Sequence, residues 1–78
     1  MDTSELIKKI RLQLGLSQET FAEAIHVAFA TVNRWENNKS TPNSMARALI
    51  ADYCEKNGVD SELIVAIKDR GKSNGGKA

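Results

Sequence analysis

The stretch that decides the fold is residues 16–39, which reads LSQETFAEAIHVAFATVNRWENNK. Ser17 stands where a helix needs an N-cap, because its hydroxyl can accept a hydrogen bond from a free backbone N–H of the first turn. Phe21, Ala22 and Ile25 then recur with helical spacing. A second apolar stripe begins after a connection of a few residues. The stretch therefore predicts two short helices joined by a tight turn.

The second of these helices is predicted over residues 28–37, and its two faces differ in chemistry. At about 100° per residue, one face forms a core stripe of Ala28, Thr31, Val32 and Trp35. The opposite face carries residue types that contact base edges rather than those that only aid solubility: Phe29, Ala30, Asn33, Arg34 and Asn37. Arg can donate twice to guanine, Asn can pair with adenine, and Ala or Phe can contact a thymine methyl group. The pattern is typical of a helix-turn-helix that binds DNA.

Helical periodicity continues on both sides of this stretch, and no segment alternates with the period of a strand. A first helix opens at Asp2 and closes at Gly15, and a loop over residues 37–43 precedes a fourth helix. Gly58 ends that helix, and a fifth begins at residue 60 or 61. The prediction is an all-α, compact five-helix bundle, with one domain over residues 1–70 and a flexible tail over residues 71–78.

Composition limits the class of protein. The 78 residues suffice for one small domain, and 41 % hydrophobic with 27 % charged residues is ordinary for a globular chain. The net charge is only +1, but residues 26–47 sum to +2 and residues 68–78 to +3, so an anionic partner should meet these segments. A single cysteine suits a reducing compartment, and no apolar run resembles a signal peptide or a membrane span. We therefore expect a cytoplasmic protein without a membrane partner.

The stretch quoted above, together with Pro42, resembles the Cro and phage-repressor family of helix-turn-helix proteins, also called XRE-like. The resemblance covers about residues 5–67. It implies a lambda-repressor-like DNA-binding fold, binding to double-stranded DNA and, usually, a dimer on a two-fold operator. It also implies that the third helix enters the major groove, where its early residues contact bases.

The resemblance assigns roles by matching position. Phe29, Ala30 and Arg34 fall where family members contact bases, with Asn33 adjacent. Phosphate contacts fall on Gln18 at the start of the second helix and on Asn38, Lys39 and Thr41 in the loop after the third. Arg11 and Glu36 match an ion pair that ties the first helix to the end of the third. Three positions depart from the family: His26 and Asn38 replace Gly, and Ala28 replaces a capping Ser or Thr.

Each assignment has a plainer alternative. Arg34, Asn33 and Lys39 could be ordinary polar residues on the surface, and Phe29 could pack against the second helix. Trp35 is expected in the core rather than as a stacking platform, because it lies on the apolar stripe. Ile64, Val65 and Ile67 belong to a run of five apolar residues, which could pair with a second copy in a homodimer or only complete a thin core.

The sequence thus predicts a sequence-specific regulator of transcription, most simply a repressor. The alternative is a protein-interaction module on the same fold, such as an antitoxin, an anti-repressor or an adaptor domain of a longer protein. We expect no enzyme, because His26 and Cys54 lack an orienting third group and no phosphate-binding glycine loop is present. We also expect no metal, no cofactor and no small-molecule substrate.

Overall fold

The computed structural model describes residues 2–75, with side chains through residue 69. This part of the chain contains five helices and no strand, which confirms the all-α bundle. The helices are α1 (Thr3–Leu14), α2 (Gln18–Ala24), α3 (Phe29–Glu36), α4 (Ser44–Lys56) and α5 (Ser61–Gly75). None of the described helices combines the length and apolar character needed to span a bilayer.

Local hydrogen bonds fix where three of the helices begin. The Asp2 carboxylate accepts from the backbone N–H of Glu5 at 2.9 Å, and Ser17 Oγ accepts from that of Thr20 at 3.1 Å. Asn43 Oδ1 does the same for Ala46 at 2.9 Å. Each contact satisfies an N–H group that has no partner within its own helix. These caps set the ends of the helices and therefore the lengths of the loops that carry the site.

One aliphatic core joins all five helices. Helix α1 packs against α3 and α5, α2 packs against α3, and α4 packs against α5. The largest fully buried side chains come from every helix: Leu6, Ile7, Ile10, Phe21, Ile25, Val32, Ile50, Cys54 and Ile67. Trp35 is also buried, at 3 % exposed, as the apolar stripe predicts. The orientation of α3 therefore depends on both α1 and α2.

Helix α3 is shorter than predicted, and this changes one residue of its core stripe. Ala28 is the N-cap, with extended backbone angles and no side-chain capping hydrogen bond, and it is exposed. Its expected place in the core is therefore wrong, because a residue outside the helix does not follow the helical period. Thr31 is half-buried, and Val32 and Trp35 form the buried stripe.

The burial of side chains on α5 corrects the expectation that Ile64, Val65 and Ile67 together form a surface for a second copy. Ile67 is fully buried and Ile64 is only 9 % exposed, so both serve the core of their own chain, while Val65 is 54 % exposed. The fifth helix must cover both α1 and α4, and this uses most of its apolar residues.

The helix is described to Gly75, and residues 76–78 of the predicted flexible tail lie outside the described residues.

Within residues 2–75, two non-glycine residues adopt left-handed backbone angles, at the two positions where the sequence departs from a family glycine. His26 has φ 64° in the turn between α2 and α3, and Asn38 has φ 62° after α3. In a residue with a Cβ this conformation costs roughly 1–2 kcal/mol, although Asn tolerates it better than most. The turn that sets the angle between α2 and α3 therefore carries backbone strain at His26.

We expect His26→Gly to raise the free energy of unfolding by about 0.5–1 kcal/mol, because glycine removes the steric cost but loses more chain entropy. Urea denaturation measures the effect as a higher midpoint at an unchanged slope. Asn38→Gly is the matched control and should stabilise less, because Asn already tolerates these angles. A lower midpoint for His26→Gly would contradict the assigned strain.

The one cysteine is a packing residue. Cys54 is fully buried on α4, and burial, with a smaller effect from the charge of Glu55, raises the pKa of its thiol to about 11. The reactive thiolate is therefore scarce at neutral pH. We expect iodoacetamide to alkylate the folded protein on the order of a thousandfold more slowly than the urea-unfolded protein, because the thiol must be exposed by opening. Equal rates in the two states would show that Cys54 is accessible.

Candidate nucleic-acid interface

The outward face of α3 is exposed where the sequence predicts base contacts. Phe29 is 48 % exposed, Ala30 is exposed, and Arg34 is exposed one turn later. The Arg34 side chain forms no hydrogen bond or ion pair with the side chains described. Val32 and Trp35 hold the other face of α3 in the core. The guanidinium therefore keeps all its donors for an external acceptor.

The loop after α3 presents the predicted phosphate contacts next to this face. Asn38, Lys39 and Thr41 are all exposed. The left-handed angle at Asn38 turns the chain so that the backbone N–H of Lys39 donates to the carbonyl oxygen of Arg34 at 2.9 Å. The backbone of the loop thus stays close to the last turn of α3.

Gln18 at the start of α2 has two partners inside the protein. Its Nε2 donates to Glu36 Oε1 at 3.0 Å, and its Oε1 accepts from Asn33 Nδ2 at 3.1 Å. The side chain is half-buried. A primary amide carries a second hydrogen on nitrogen, so Gln18 keeps one donor that could contact a phosphate. The residue expected only at the DNA backbone therefore also links α2 to α3.

The ion pair between Arg11 and Glu36 connects α1 to the end of α3. Arg11 Nε donates to Glu36 Oε2 at 2.6 Å and Nη2 donates to Oε1 at 3.0 Å, while Nη1 donates to the carbonyl oxygen of Leu16 at 2.9 Å. Burial acts to raise the pKa of Glu36, but hydrogen bonds from Arg11 and Gln18, with the nearby positive charges, hold that pKa below its usual value. Glu36 is therefore a buried carboxylate, 7 % exposed, that stays ionised at neutral pH.

The structure extends this pair into a continuous chain of side chains that the sequence did not predict. From Glu36 the hydrogen bonds run through Gln18 to Asn33, and Asn37 Nδ2 then donates to Asn33 Oδ1 at 3.1 Å. We call Glu36, Gln18, Asn33 and Asn37 the amide relay. Only the helical spacing of Asn33 and Asn37 is visible in the sequence. The relay joins a buried charge to the predicted DNA face.

Comparison with known proteins places the chain in a family. A helix-turn-helix family model matches residues 7–57, well over half of the chain, from α1 through the end of α4. The chain belongs to the Cro/C1-type helix-turn-helix family. This is a DNA-binding family of transcription regulators. No curated protein and no solved structure matches the chain significantly.

Beside α3, this Cro/C1-type protein has a largely apolar groove of about 510 Å³. Its lining includes Trp35 and the α4 residues Met45 and Leu49, which are 73 % and 37 % exposed. The sequence places two apolar edges side by side on α4, and the fold buries the one that holds Ala46, Ile50 and Cys54. The other edge is left at the surface.

Among the residues described, no three His, Cys, Asp or Glu side chains lie close enough to hold a metal ion. His26 lines the groove rather than meeting Cys54, which is buried in the core. Beside the exposed face of α3, the fold brings together the amide relay and the ion pair of Arg11 with Glu36. This chemistry suits recognition by hydrogen bonds.

Proposed function

We propose that this protein binds double-stranded DNA in a sequence-specific manner by placing α3 in the major groove, and that it represses transcription by occupying its operator. The observation that carries the proposal is the exposed, unpartnered Arg34 on the face of α3 opposite the buried Trp35. Arg is suited to guanine because its fork of donors matches O6 and N7. Membership in a DNA-binding family supports the same reading.

The remaining contacts divide by chemistry. Phe29 and Ala30 can contact thymine methyl groups, and Asn33 can pair with adenine. The phosphate contacts fall on residues around this face: Gln18, Asn38, Lys39 and Thr41. They would fix the register of α3 without selecting a sequence, and the start of α2 adds the positive end of a helix dipole.

We expect Arg34→Ala to weaken binding to the preferred duplex by about 1–3 kcal/mol and to relax the preference at one base pair, because one bidentate contact is lost. Competition binding against duplexes that differ at single positions measures both effects. The side chain has no partner within the described protein, so the midpoint of thermal unfolding should stay unchanged. An equal loss on preferred and scrambled DNA would contradict base recognition by Arg34.

Lys39→Ala is the matched comparison, since it removes a nearby exposed cation. We expect it to weaken binding to all duplexes about equally and to lower the slope of log affinity against log salt by about one, because one phosphate contact is lost. A salt titration of both variants separates the two roles. If Lys39→Ala instead altered the preferred sequence, its assignment to the backbone would be wrong.

A second function is favoured by the apolar groove. Exposed Met45 and Leu49 offer a surface that DNA does not require, and residues 48–67 sum to −3. A protein-interaction module, such as an antitoxin, an anti-repressor or an adaptor domain, would use this side of the molecule. The salt titration distinguishes the two functions, because an affinity for DNA that is weak and independent of salt would favour the protein partner.

The oligomeric state and location follow from the same proposal. A homodimer on DNA would match a two-fold operator, although of the three predicted α5 residues only Val65 is exposed enough to contact a second copy. Sedimentation with and without the preferred duplex would show whether two copies assemble. A protein that acts on operators would work in the compartment that holds its DNA, which we infer to be the cytoplasm.

A further inference from the structure

The buried carboxylate of Glu36 dictates the orientation of every amide in the amide relay. An ionised carboxylate can only accept hydrogen bonds, so Gln18 must turn Nε2 toward it and Oε1 toward α3. Asn33 must then present Nδ2 to Gln18 and Oδ1 to Asn37. Each amide has one allowed orientation, and the buried carboxylate of Glu36 determines it.

We propose that Glu36 is a positioning residue for DNA recognition: acting through Gln18, it determines where Asn33 presents its donor and its acceptor to the major groove. The inference rests on the proposed function, in which Asn33 contacts a base. Pairing with adenine needs the oxygen to accept from N6 and the nitrogen to donate to N7, so exchanging the two atoms loses that pairing. The base preference at this position thus depends on a carboxylate that does not itself touch DNA.

Replacing Glu36 by Gln tests the direction of the relay. Arg11 donates to both carboxylate oxygens, and the shorter bond, 2.6 Å, joins Nε to Oε2. A Gln at position 36 has only one oxygen, so its nitrogen must face either Nε or Nη2 of Arg11, and each orientation keeps two hydrogen bonds. When the nitrogen lies on the side of Nη2, Gln18 has to rotate to offer its oxygen, and Asn33 and Asn37 rotate in turn. The substitution therefore removes the fixed direction of the relay with almost no change in volume.

A double variant restores the original direction. In Gln18→Glu with Glu36→Gln, the new amide at position 36 accepts from Arg11 and donates to the new carboxylate at position 18. That carboxylate accepts from Asn33 Nδ2, as Gln18 Oε1 does in the natural protein. The charge of the site is kept, and Asn33 returns to its natural orientation. The double variant is thus the rescue for the single one.

The experiment uses the duplex that the natural protein selects from a random pool, and Asn33→Ala identifies the base pair that Asn33 contacts. At that base pair we expect Glu36→Gln to lose about twofold or more of the preference, because only part of the molecules keep the natural orientation of Asn33, while the preference at the Arg34 position is kept. The double variant should recover the lost preference. On the Asn33→Ala background, Glu36→Gln should not change base preference further, because the two act in series.

If Glu36→Gln loses stability, a second variant and a measurement without DNA still test the inference. Gln18→Leu breaks the relay but leaves the ion pair of Arg11 with Glu36, and it should also reduce preference at the Asn33 base pair. Without DNA, nuclear Overhauser contacts from the Asn33 amide protons should go to Gln18 in the natural protein and to both Gln18 and Asn37 in Glu36→Gln.

Three results overturn the inference. Asn33 amide contacts that are the same in the natural protein and in Glu36→Gln would show that the carboxylate does not set the orientation. A loss that is equal on every duplex, or a loss that the double variant does not recover, would show that Glu36 serves stability alone. If the natural protein selects no sequence, the proposed function fails, and with it the link from the relay to base preference.

Discussion

Replacing Arg11 by Ala is expected to lower the free energy of unfolding by about 3–5 kcal/mol. The variant leaves the carboxylate of Glu36 buried without its guanidinium and removes the donor to the carbonyl oxygen of Leu16. An unpaired buried charge is among the costliest single defects, and a domain of this size is stable by only about 4–12 kcal/mol in total. Urea denaturation at pH 7 measures the loss.

The same variant should show a distinctive dependence on pH. In the natural protein the folded pKa of Glu36 lies below its usual 4.5, so the stability from the pair is present above that pH and is lost as pH falls through the lower value. Without Arg11, burial should raise the pKa of Glu36 instead. The stability difference between the two proteins should therefore begin to shrink above pH 4.5, as Glu36 of the variant takes up a proton, and should shrink further as pH falls through the lower folded pKa of the natural protein.

A control separates the loss of the charge pair from the loss of packing. Arg11→Met with Glu36→Leu removes both charges while keeping similar volume, and it should recover much of the stability lost in Arg11→Ala. A double variant no more stable than the single one, or a difference from the natural protein that does not change with pH, would contradict the assigned role of the pair.

Replacing Trp35 by Ala is the second large effect, with an expected loss of about 3–5 kcal/mol. The indole is 3 % exposed and lies on the face of α3 that packs into the core. Its removal leaves a cavity that the helices cannot fully close, and it also loosens the helix that carries Arg34. Thermal unfolding should show the loss, and DNA affinity should fall at temperatures where the variant is partly unfolded.

Phe29→Ala is the matched control on the same helix. Phe29 is a large aromatic residue that is 48 % exposed, so its removal should cost less than about 1 kcal/mol of stability while still weakening binding to DNA. The contrast tests which aromatic faces inward. If the two variants lost stability equally, the assignment of the core and groove faces of α3 would be wrong.

Features that depend on near neighbours in the chain could be predicted from the sequence. The caps at Asp2 and Ser17, the end of α1 at Gly15 and the inward direction of Trp35 all follow from local hydrogen bonding and helical period. The left-handed turn at His26 was indicated by the glycine that the family has there. These features also fix the exposed face of α3, so the sequence alone predicts which side chains form the candidate site.

Features that depend on contacts between helices could not be predicted in the same way. Both apolar edges of α4 have helical spacing, and the sequence alone does not show which of them packs against α5 and which leaves Met45 exposed. The apolar spacing of Ile64 and Ile67 fits a dimer surface as well as a core, and only the packing of α5 against α1 and α4 shows that they are buried. The hydrogen bond between Gln18 and Asn33 joins side chains that are 15 positions apart, and no local sequence pattern predicts such a contact.

Selection of duplexes from a random pool by the natural protein, at moderate salt, tests the central claim most directly. Recognition by the exposed face of α3 predicts a short enriched motif with a guanine at a fixed position, and two inverted copies of the motif if a dimer binds. A pool that shows no enriched sequence after repeated rounds, with affinity that does not fall as salt rises, would contradict the claim that α3 binds the major groove.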